Sequence, residues 1–146
     1  PVYRANLDAR YHHRLIALPG RDADTPNLDL TRAFQVTMTA NIMTLHLIPL
    51  AATLFDTIYT AGFDGRPLEE NTYFWKHDKA TQITTQMDSI QQAHPAFFAI
   101  DYDDYYRTHV DIVARWLAAA EAQGKTVVNL TPSYVPALKQ REGVAG

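Results

Sequence analysis

Residues 96–130 read AFFAIDYDDYYRTHVDIVARWLAAAEAQGKTVVNL, and this stretch decides the fold. A compact apolar run over 96–100 predicts a strand, and a second run over 126–130 predicts another. Between them apolar residues recur at helical spacing, which predicts a helix over 102–123 that ends at Gly124. Strand, helix and strand in this order form a βαβ unit, whose two strands run parallel.

A second pattern lies nearer the N-terminus. Apolar residues alternate with polar ones from residue 34 to residue 42, which predicts a half-buried strand. We expect its apolar members to face one side of a sheet; they are Phe34, Val36, Met38, Ala40 and Ile42. The two patterns together predict an α+β fold, in a single domain with a mixed sheet, a C-terminal βαβ unit and extended terminal arms.

The length of 146 residues is typical of one domain. We expect a single globular domain over 1–130, which begins with a polar N-terminal arm over 1–13. The remaining residues, 131–146, are predicted to form an extended C-terminal tail. Pro132 and Pro136 prevent a long helix there, because proline lacks an N–H group and biases the preceding residue to extended conformations.

Two further helices are predicted in the middle of the chain. One begins at Pro49, keeps helical spacing through Tyr59 and stops at Gly62. The other covers 78–94 and ends before Pro95. Its apolar residues are spaced by three and four positions, as in a heptad repeat. It is therefore either an edge helix on the core or a contact with a helix of another chain.

Composition excludes several classes of protein. Cysteine is absent, which excludes disulfides, zinc–thiolate sites and thiol nucleophiles. The net charge is −3, whereas a protein that binds nucleic acid over its whole surface carries a positive electrostatic potential. The most apolar stretch is broken by polar residues before it reaches the length of a membrane span. We expect a protein of the cytoplasm, or of a virion if the chain is a viral structural component, without membrane contact.

The acidic cluster Asp101-Tyr102-Asp103-Asp104 directly follows the predicted strand. Ligands of α/β folds gather beyond the carboxyl ends of parallel strands, and clustered carboxylates suit Mg²⁺. Residues 97–103 resemble the first motif of the haloacid-dehalogenase-type phosphotransferases, an apolar strand that ends in Asp-x-Asp. The resemblance implies a small metal-dependent phosphotransferase or hydrolase that uses these carboxylates. The alternative is that Asp103 or Asp104 caps the helix.

The start Pro1-Val2-Tyr3 resembles that of the longer members of the tautomerase superfamily. In that family the proline is the catalytic base at the head of a strand. The resemblance implies a tautomerase-like enzyme that depends on Pro1, whose secondary amine acts as a base when its pKa is lowered. The alternative is that Pro1 has no catalytic role.

Histidine and serine add no further catalytic set. His12 and His13 are neighbours and would point to opposite faces of a strand. His109 is the last histidine, so no later one completes a facial triad of metal ligands. The only serines, Ser89 and Ser133, lie in no nucleophile motif. We therefore expect no catalytic residue, no bound metal and no cofactor.

Contacts with partners are the function that the sequence favours. The arm interleaves cations with aromatic rings, which suits phosphates or an acidic protein surface. The apolar residues of the tail are spaced to anchor an extended strap, and polar termini become ordered only when they are tied down. The sequence therefore predicts a structural subunit of a larger particle such as a virion, in a homo- or hetero-oligomer, with nucleic acid as a weaker candidate partner. The predicted contact residues are Tyr3, Arg4, Arg10, Tyr11, Arg14, Tyr134, Val135 and Leu138.

Overall fold

The computed structural model describes residues 5–67 and 101–143. Its helical elements are a 3-10 helix Ala9–Arg14, a π-turn Met43–Leu47, α1 (Ile48–Leu54), α2 (Tyr102–Ala122) and α3 (Pro136–Lys139). Its strands are β1 (Gly20–Arg21), β2 (Val36–Thr37), β3 (Thr57–Thr60) and β4 (Thr126–Asn129). Helices and small sheets in one chain confirm the broad α+β class.

The strands form two separate parallel pairs. β1 pairs with β2, with Gly20 opposite Val36, and β3 pairs with β4, with Thr57 opposite Thr126. The described ranges thus contain parallel pairing between strands and do not confirm the predicted mixed sheet. The predicted strand over 96–100 and the predicted helix over 78–94 lie outside the described residues, as does Pro1.

Helix α2 and strand β4 agree with the sequence prediction to within one residue. The helix turns Val113, Trp116, Leu117 and Ala120 into the core at spacings of three, one and three. Gly124 follows in the left-handed region at φ +84°, a conformation that suits glycine at the end of a helix. This part of the βαβ prediction is confirmed, and the described partner of β4 is β3.

The core lies between α2, α1, α3 and one face of the β3–β4 pair. Alternate residues of both strands point into it, so Ile58 and Val127 are buried side by side in register. The same face carries Thr60 and Asn129, whose side chains bond to each other at 3.0 Å. The Asn129 amide nitrogen also donates to the backbone carbonyl of Thr131 at 2.5 Å, so this buried polar pair has hydrogen-bond partners.

The prediction of a strand over residues 34–42 is wrong in the length of the strand and in which side chains are buried. Only Val36 and Thr37 are in a strand, and these neighbours are both buried, at 2% and 1% exposure. Phe34, Met38 and Ile42 are each more than half exposed. The strand is short for two reasons. β1 offers only two residues for pairing. The Asn41 side chain then accepts a hydrogen bond from the N–H of Met43, where the next helical element begins.

The helix predicted from Pro49 to Tyr59 begins earlier and ends sooner than expected. It starts as a π-turn, in which the N–H of Ile48 bonds to the carbonyl of Met43 five residues before it. Pro49 accounts for the wider π-turn. It has no N–H to donate, and in a regular α-helix its ring would clash with the carbonyl four residues earlier. The helix then ends at Leu54, and the chain extends into β3.

The C-terminal segment differs from the extended strap that the sequence predicts. Pro136 begins the short helix α3, where the fixed φ of proline suits the first turn. Val135 and Leu138 are 2% and 0% exposed, because this helix packs on α2. Arg141 then bonds to Glu121 of α2 through two nitrogens, each at 2.6 Å. The described part of the tail is thus held by its own domain.

Within residues 5–67 and 101–143, no helix is both long and apolar enough to cross a membrane.

Candidate functional site

The acidic cluster is the start of helix α2, and the carboxylates of Asp101 and Asp103 make contacts within the chain. Asp101 is the N-cap: its side chain accepts from the backbone N–H groups of Asp103 and Asp104, at 3.0 and 3.1 Å. The prediction that Asp103 or Asp104 is the cap is therefore wrong by two or three residues. Asp101 takes this place because it has extended backbone just before the first helical turn.

Asp103 faces the loop that follows β3. Its carboxylate forms an ion pair with Arg66, whose guanidinium also lies 5.1 Å from the centroid of the Tyr106 ring. The hydroxyl of Tyr106 in turn accepts from the backbone N–H of Arg66 at 3.1 Å. The arrangement fastens the loop to the helix. Within 5–67 and 101–143, no group of three His, Asp or Glu side chains is close enough to hold a metal ion, so the phosphotransferase resemblance gains no support there.

The N-terminal arm carries its predicted contact residues on an exposed surface. Arg10, Tyr11 and Arg14 belong to the 3-10 helix, which buries none of its residues. Arg10 pairs with Asp8 at 3.3 Å and stacks on Tyr11 at 4.8 Å, so part of its charge is balanced locally. Tyr3 and Arg4 lie outside the described residues.

The predicted contact residues of the tail are divided by the structure. Tyr134 is 61% exposed and is available to a partner. Val135 and Leu138 are buried in the core of their own domain, so they offer no surface for another chain. The prediction for these two side chains is corrected, because α3 turns them toward α2.

A small cleft lies between helix α2 and the residues around the π-turn. It is lined by Ala40, Asn41, Thr44, Tyr105, Thr108, His109 and Ile112. His109 places a buried Nδ1 atom here that has no hydrogen-bond partner, and burial lowers the pKa of its imidazole. Sequence reasoning missed this environment, although His109 lies four residues after Tyr105 on the same helix face.

The polar groups of the cleft are mostly used within the chain. Tyr105 donates to the backbone carbonyl of Ala40 at 3.0 Å, and Asn41 accepts from the N–H of Met43 at 2.9 Å. The Thr44 hydroxyl lies 2.8 Å from that of Thr39. None of the residues that line the cleft is a carboxylate, and the other titratable side chain among them, Tyr105, uses its hydroxyl to donate to the Ala40 carbonyl.

The clearest unexplained surface is on helix α1 and the π-turn before it. Leu47, Leu50 and Leu54 are 46%, 47% and 58% exposed. Their spacing of three and four positions places them in one row, here named the leucine face. The opposite side of the same helix is formed by Ile48, Pro49 and Ala52, which are buried in the core.

The leucine face is continued at both ends by apolar side chains, and the nearest carboxylate in sequence is the exposed Asp56 that follows Phe55. Ile42 lies one turn before Leu47 and Phe55 directly follows Leu54; both are 59% exposed. From residue 42 to residue 55 the sequence contains no Asp, Glu, Lys or Arg. The period of the apolar residues in this stretch does not by itself show that both sides of the helix are apolar.

Comparison of the chain with protein-family models, with curated proteins and with solved structures yields no match.

Proposed function

We propose that this chain is a structural subunit of a multi-subunit assembly, which contacts other protein chains through the leucine face. The observation that carries the proposal is that helix α1 is apolar on its outer side as well as on its core side. A helix that is apolar all round is normally covered all round. Contiguous apolar surface on a soluble domain marks a contact site more often than a scattered leucine does.

The energetic argument favours a contact over a bare surface. Burying a leucine side chain completely is worth about 1.5–3 kcal/mol relative to full exposure. Leu47, Leu50 and Leu54 are each near half exposure, so about 1 kcal/mol per side chain is still to be gained. Ile42 and Phe55 add to this total. In a particle this free energy of burial would stabilise every copy of the contact between subunits.

The N-terminal arm supports the same proposal from a different surface. No residue from Ala5 to Pro19 is buried, so this segment is poorly covered by its own domain. Arg14 and Tyr11 present a cation and a ring, a combination that suits an acidic protein surface. Nucleic acid is the weaker alternative partner of the arm, because the few cations of this segment produce a weak field.

The experiment compares Leu50→Lys with Ala52→Lys in dilute solution, where the chain is not associated. Leu50 belongs to the leucine face, whereas Ala52 is 1% exposed on the other side of the same helix. We expect Leu50→Lys to melt within about 2 °C of the unmodified chain and to bind less of an apolar fluorescent dye. Ala52→Lys should lower Tm by roughly 10 °C or more, because it buries an unpaired charge.

Two results would remove the support for this function. If Leu50→Lys lowers Tm as much as Ala52→Lys does, the leucine face is covered inside its own chain and is not a contact surface. Dye binding that does not change in Leu50→Lys would count against the proposal in the same way.

A further inference from the structure

We infer that His109 makes the contact between helix α2 and residues 40–44 sensitive to acid, so that protonation of its imidazole opens this contact before the domain unfolds. The neutral ring lies between the two elements, whereas the charged ring has to reach water. The inference does not depend on the proposed function, because it concerns the inner side of the π-turn and not the leucine face.

Helix α2 meets residues 40–44 with aromatic side chains that follow one face of the helix. Tyr105, His109 and Trp116 are four and seven positions apart, which is about one turn and two turns. The Tyr105 hydroxyl donates to the carbonyl of Ala40, and the Trp116 indole donates to the carbonyl of Thr44, each at 3.0 Å. Along the helix, His109 lies between these two hydrogen bonds and lines the cleft there.

The His109 ring contributes no such hydrogen bond. Its Nδ1 atom is buried and has no hydrogen-bond partner within the described ranges. Polar groups of the facing segment already bond to each other: the Thr44 hydroxyl lies 2.8 Å from that of Thr39, and the Asn41 side chain accepts from the N–H of Met43. Since both nitrogens of a protonated histidine carry a proton, Nδ1 would become a buried donor without an acceptor.

The titratable groups at the cleft do not favour a charged ring. The other titratable side chain among the lining residues is Tyr105, whose hydroxyl is used by Ala40. Residues 40–44 contain no titratable side chain. Burial is the cause that lowers the pKa of His109. The lining therefore offers no carboxylate that would hold a buried imidazolium in place.

The nearest charged residues of helix α2 and the other histidine of the contact lie elsewhere. Arg107 and Asp111 are each two positions from His109, so they lie on other sides of the helix. His46 belongs to the π-turn and also has a buried Nδ1 atom without a partner in the described part of the chain. It is not one of the residues that line the cleft, so a His46 variant serves as a control.

The opening is expected to be local, because the core is held by other contacts of helix α2. Val113, Leu117 and Ala120 are fully buried in the main cluster, and α2 also packs on α3 and β4. Once residues 40–44 move away, water reaches the imidazole and the carbonyls that it faces, so no polar group stays buried and unpaired. Between the lowered and the ordinary histidine pKa, the ratio of open to closed forms should rise about tenfold per pH unit, because opening takes up one proton.

Indole fluorescence tests the opening, because Trp116 borders the contact and is 2% exposed. The chain has two tryptophans, so a background with Trp75→Phe leaves Trp116 as the only indole. Acrylamide quenching is measured from pH 8 to pH 5.5 without denaturant, with far-UV circular dichroism at each pH. We expect the quenching constant to rise about twofold on acidification, while the helical signal is unchanged.

Two variants in this background assign the change to one histidine. His109→Gln cannot be protonated and should abolish the rise in quenching. His46→Gln is the matched control, since it removes a histidine whose Nδ1 is also buried, and it should keep the full rise. A rise that persists in His109→Gln would overturn the inference.

Tyr105→Phe supplies a test that does not depend on how well His109→Gln folds. It keeps the ring but removes the hydrogen bond to the Ala40 carbonyl, so the closed contact becomes weaker. The midpoint of the rise in quenching should then move to higher pH, because a weaker contact opens with less protonation. Proton NMR of the His109 ring follows its titration in the same samples. An unchanged midpoint in Tyr105→Phe, or titration of His109 without a change in Trp116 quenching, would show that the contact does not respond to this histidine.

Discussion

The indole Nε1 of Trp116 donates a hydrogen bond of 3.0 Å to the backbone carbonyl of Thr44. This bond explains how a π-turn is tolerated in the core. The N–H of Ile48 bonds to Met43, and Pro49 has no N–H, so the Thr44 carbonyl lacks a partner within its own helix. The Trp116 indole of helix α2 satisfies this carbonyl and so holds the turn that carries Leu47, the first residue of the leucine face.

We predict that Trp116→Phe leaves the Thr44 carbonyl buried and unpaired. The free energy of unfolding should fall by about 1–3 kcal/mol from this cause, in addition to any loss of packing. Urea denaturation measures the change. The effect of Trp116→Phe should also be measured in a background chain that carries Pro49→Ala, because alanine restores an N–H to the turn. The loss caused by Trp116→Phe should be smaller in that background, and an equal loss in both would show that the indole acts through packing alone.

Local signals account for the parts of the fold that the sequence predicts correctly. Helix α2 is long, periodic and terminated by Gly124, so its bounds depend little on the rest of the chain. The pattern from residue 34 to residue 42 fails because a strand also needs a partner. The partner strand, β1, is only two residues long. The Asn41 side chain then accepts from the N–H of Met43, where the next helical element begins. Neither fact is visible in an alternation of apolar and polar residues.

We predict that Asp101→Ala lowers the free energy of unfolding by about 1 kcal/mol, because the helix loses the acceptor for two backbone N–H groups. Asp101→Asn should remain within about 0.5 kcal/mol of the unmodified chain, since asparagine caps nearly as well. Asp104→Ala is the control, with a smaller loss through the helix dipole. Urea denaturation measures all three. Stoichiometric Mg²⁺ binding that is abolished by Asp101→Ala would contradict the structural role and favour a metal site.

The candidate contact surface could be predicted from the sequence only in part. The exposed arm residues Arg10 and Arg14 follow from polarity, which needs no knowledge of the fold. The leucine face does not, because the side of α1 that becomes the core is decided by where α2 packs. The same reason applies to Leu138, whose burial depends on contact between elements far apart in the sequence.

We predict that the chain loses stability as the pH falls below about 7, and that His109 contributes to the loss. Burial lowers the pKa of His109 in the folded state below its ordinary value. The unfolded chain therefore binds a proton at a higher pH than the folded chain does, and protonation favours unfolding. The stabilisation is fully present above the ordinary histidine pKa and is lost as the pH falls.

The test for His109 compares urea midpoints at pH 8 and pH 5.5. The difference between the two midpoints should be smaller in His109→Gln than in the unmodified chain. His13→Gln, at an exposed position, is the control and should keep the full difference. If both variants retain the same pH dependence, other titrating groups are responsible for it.

Leu138 is fully buried beneath helix α2. Leu138→Ala should lower the free energy of unfolding by about 2–5 kcal/mol, because it removes core contacts and leaves a cavity. Tyr134→Ala, which truncates a side chain that is 61% exposed, should change it by less than about 1 kcal/mol. Urea denaturation and sedimentation of both variants separate the two roles of the tail. A Leu138→Ala chain of unchanged stability but lower oligomeric state would show that the tail lies on a neighbouring chain, as the sequence alone predicts.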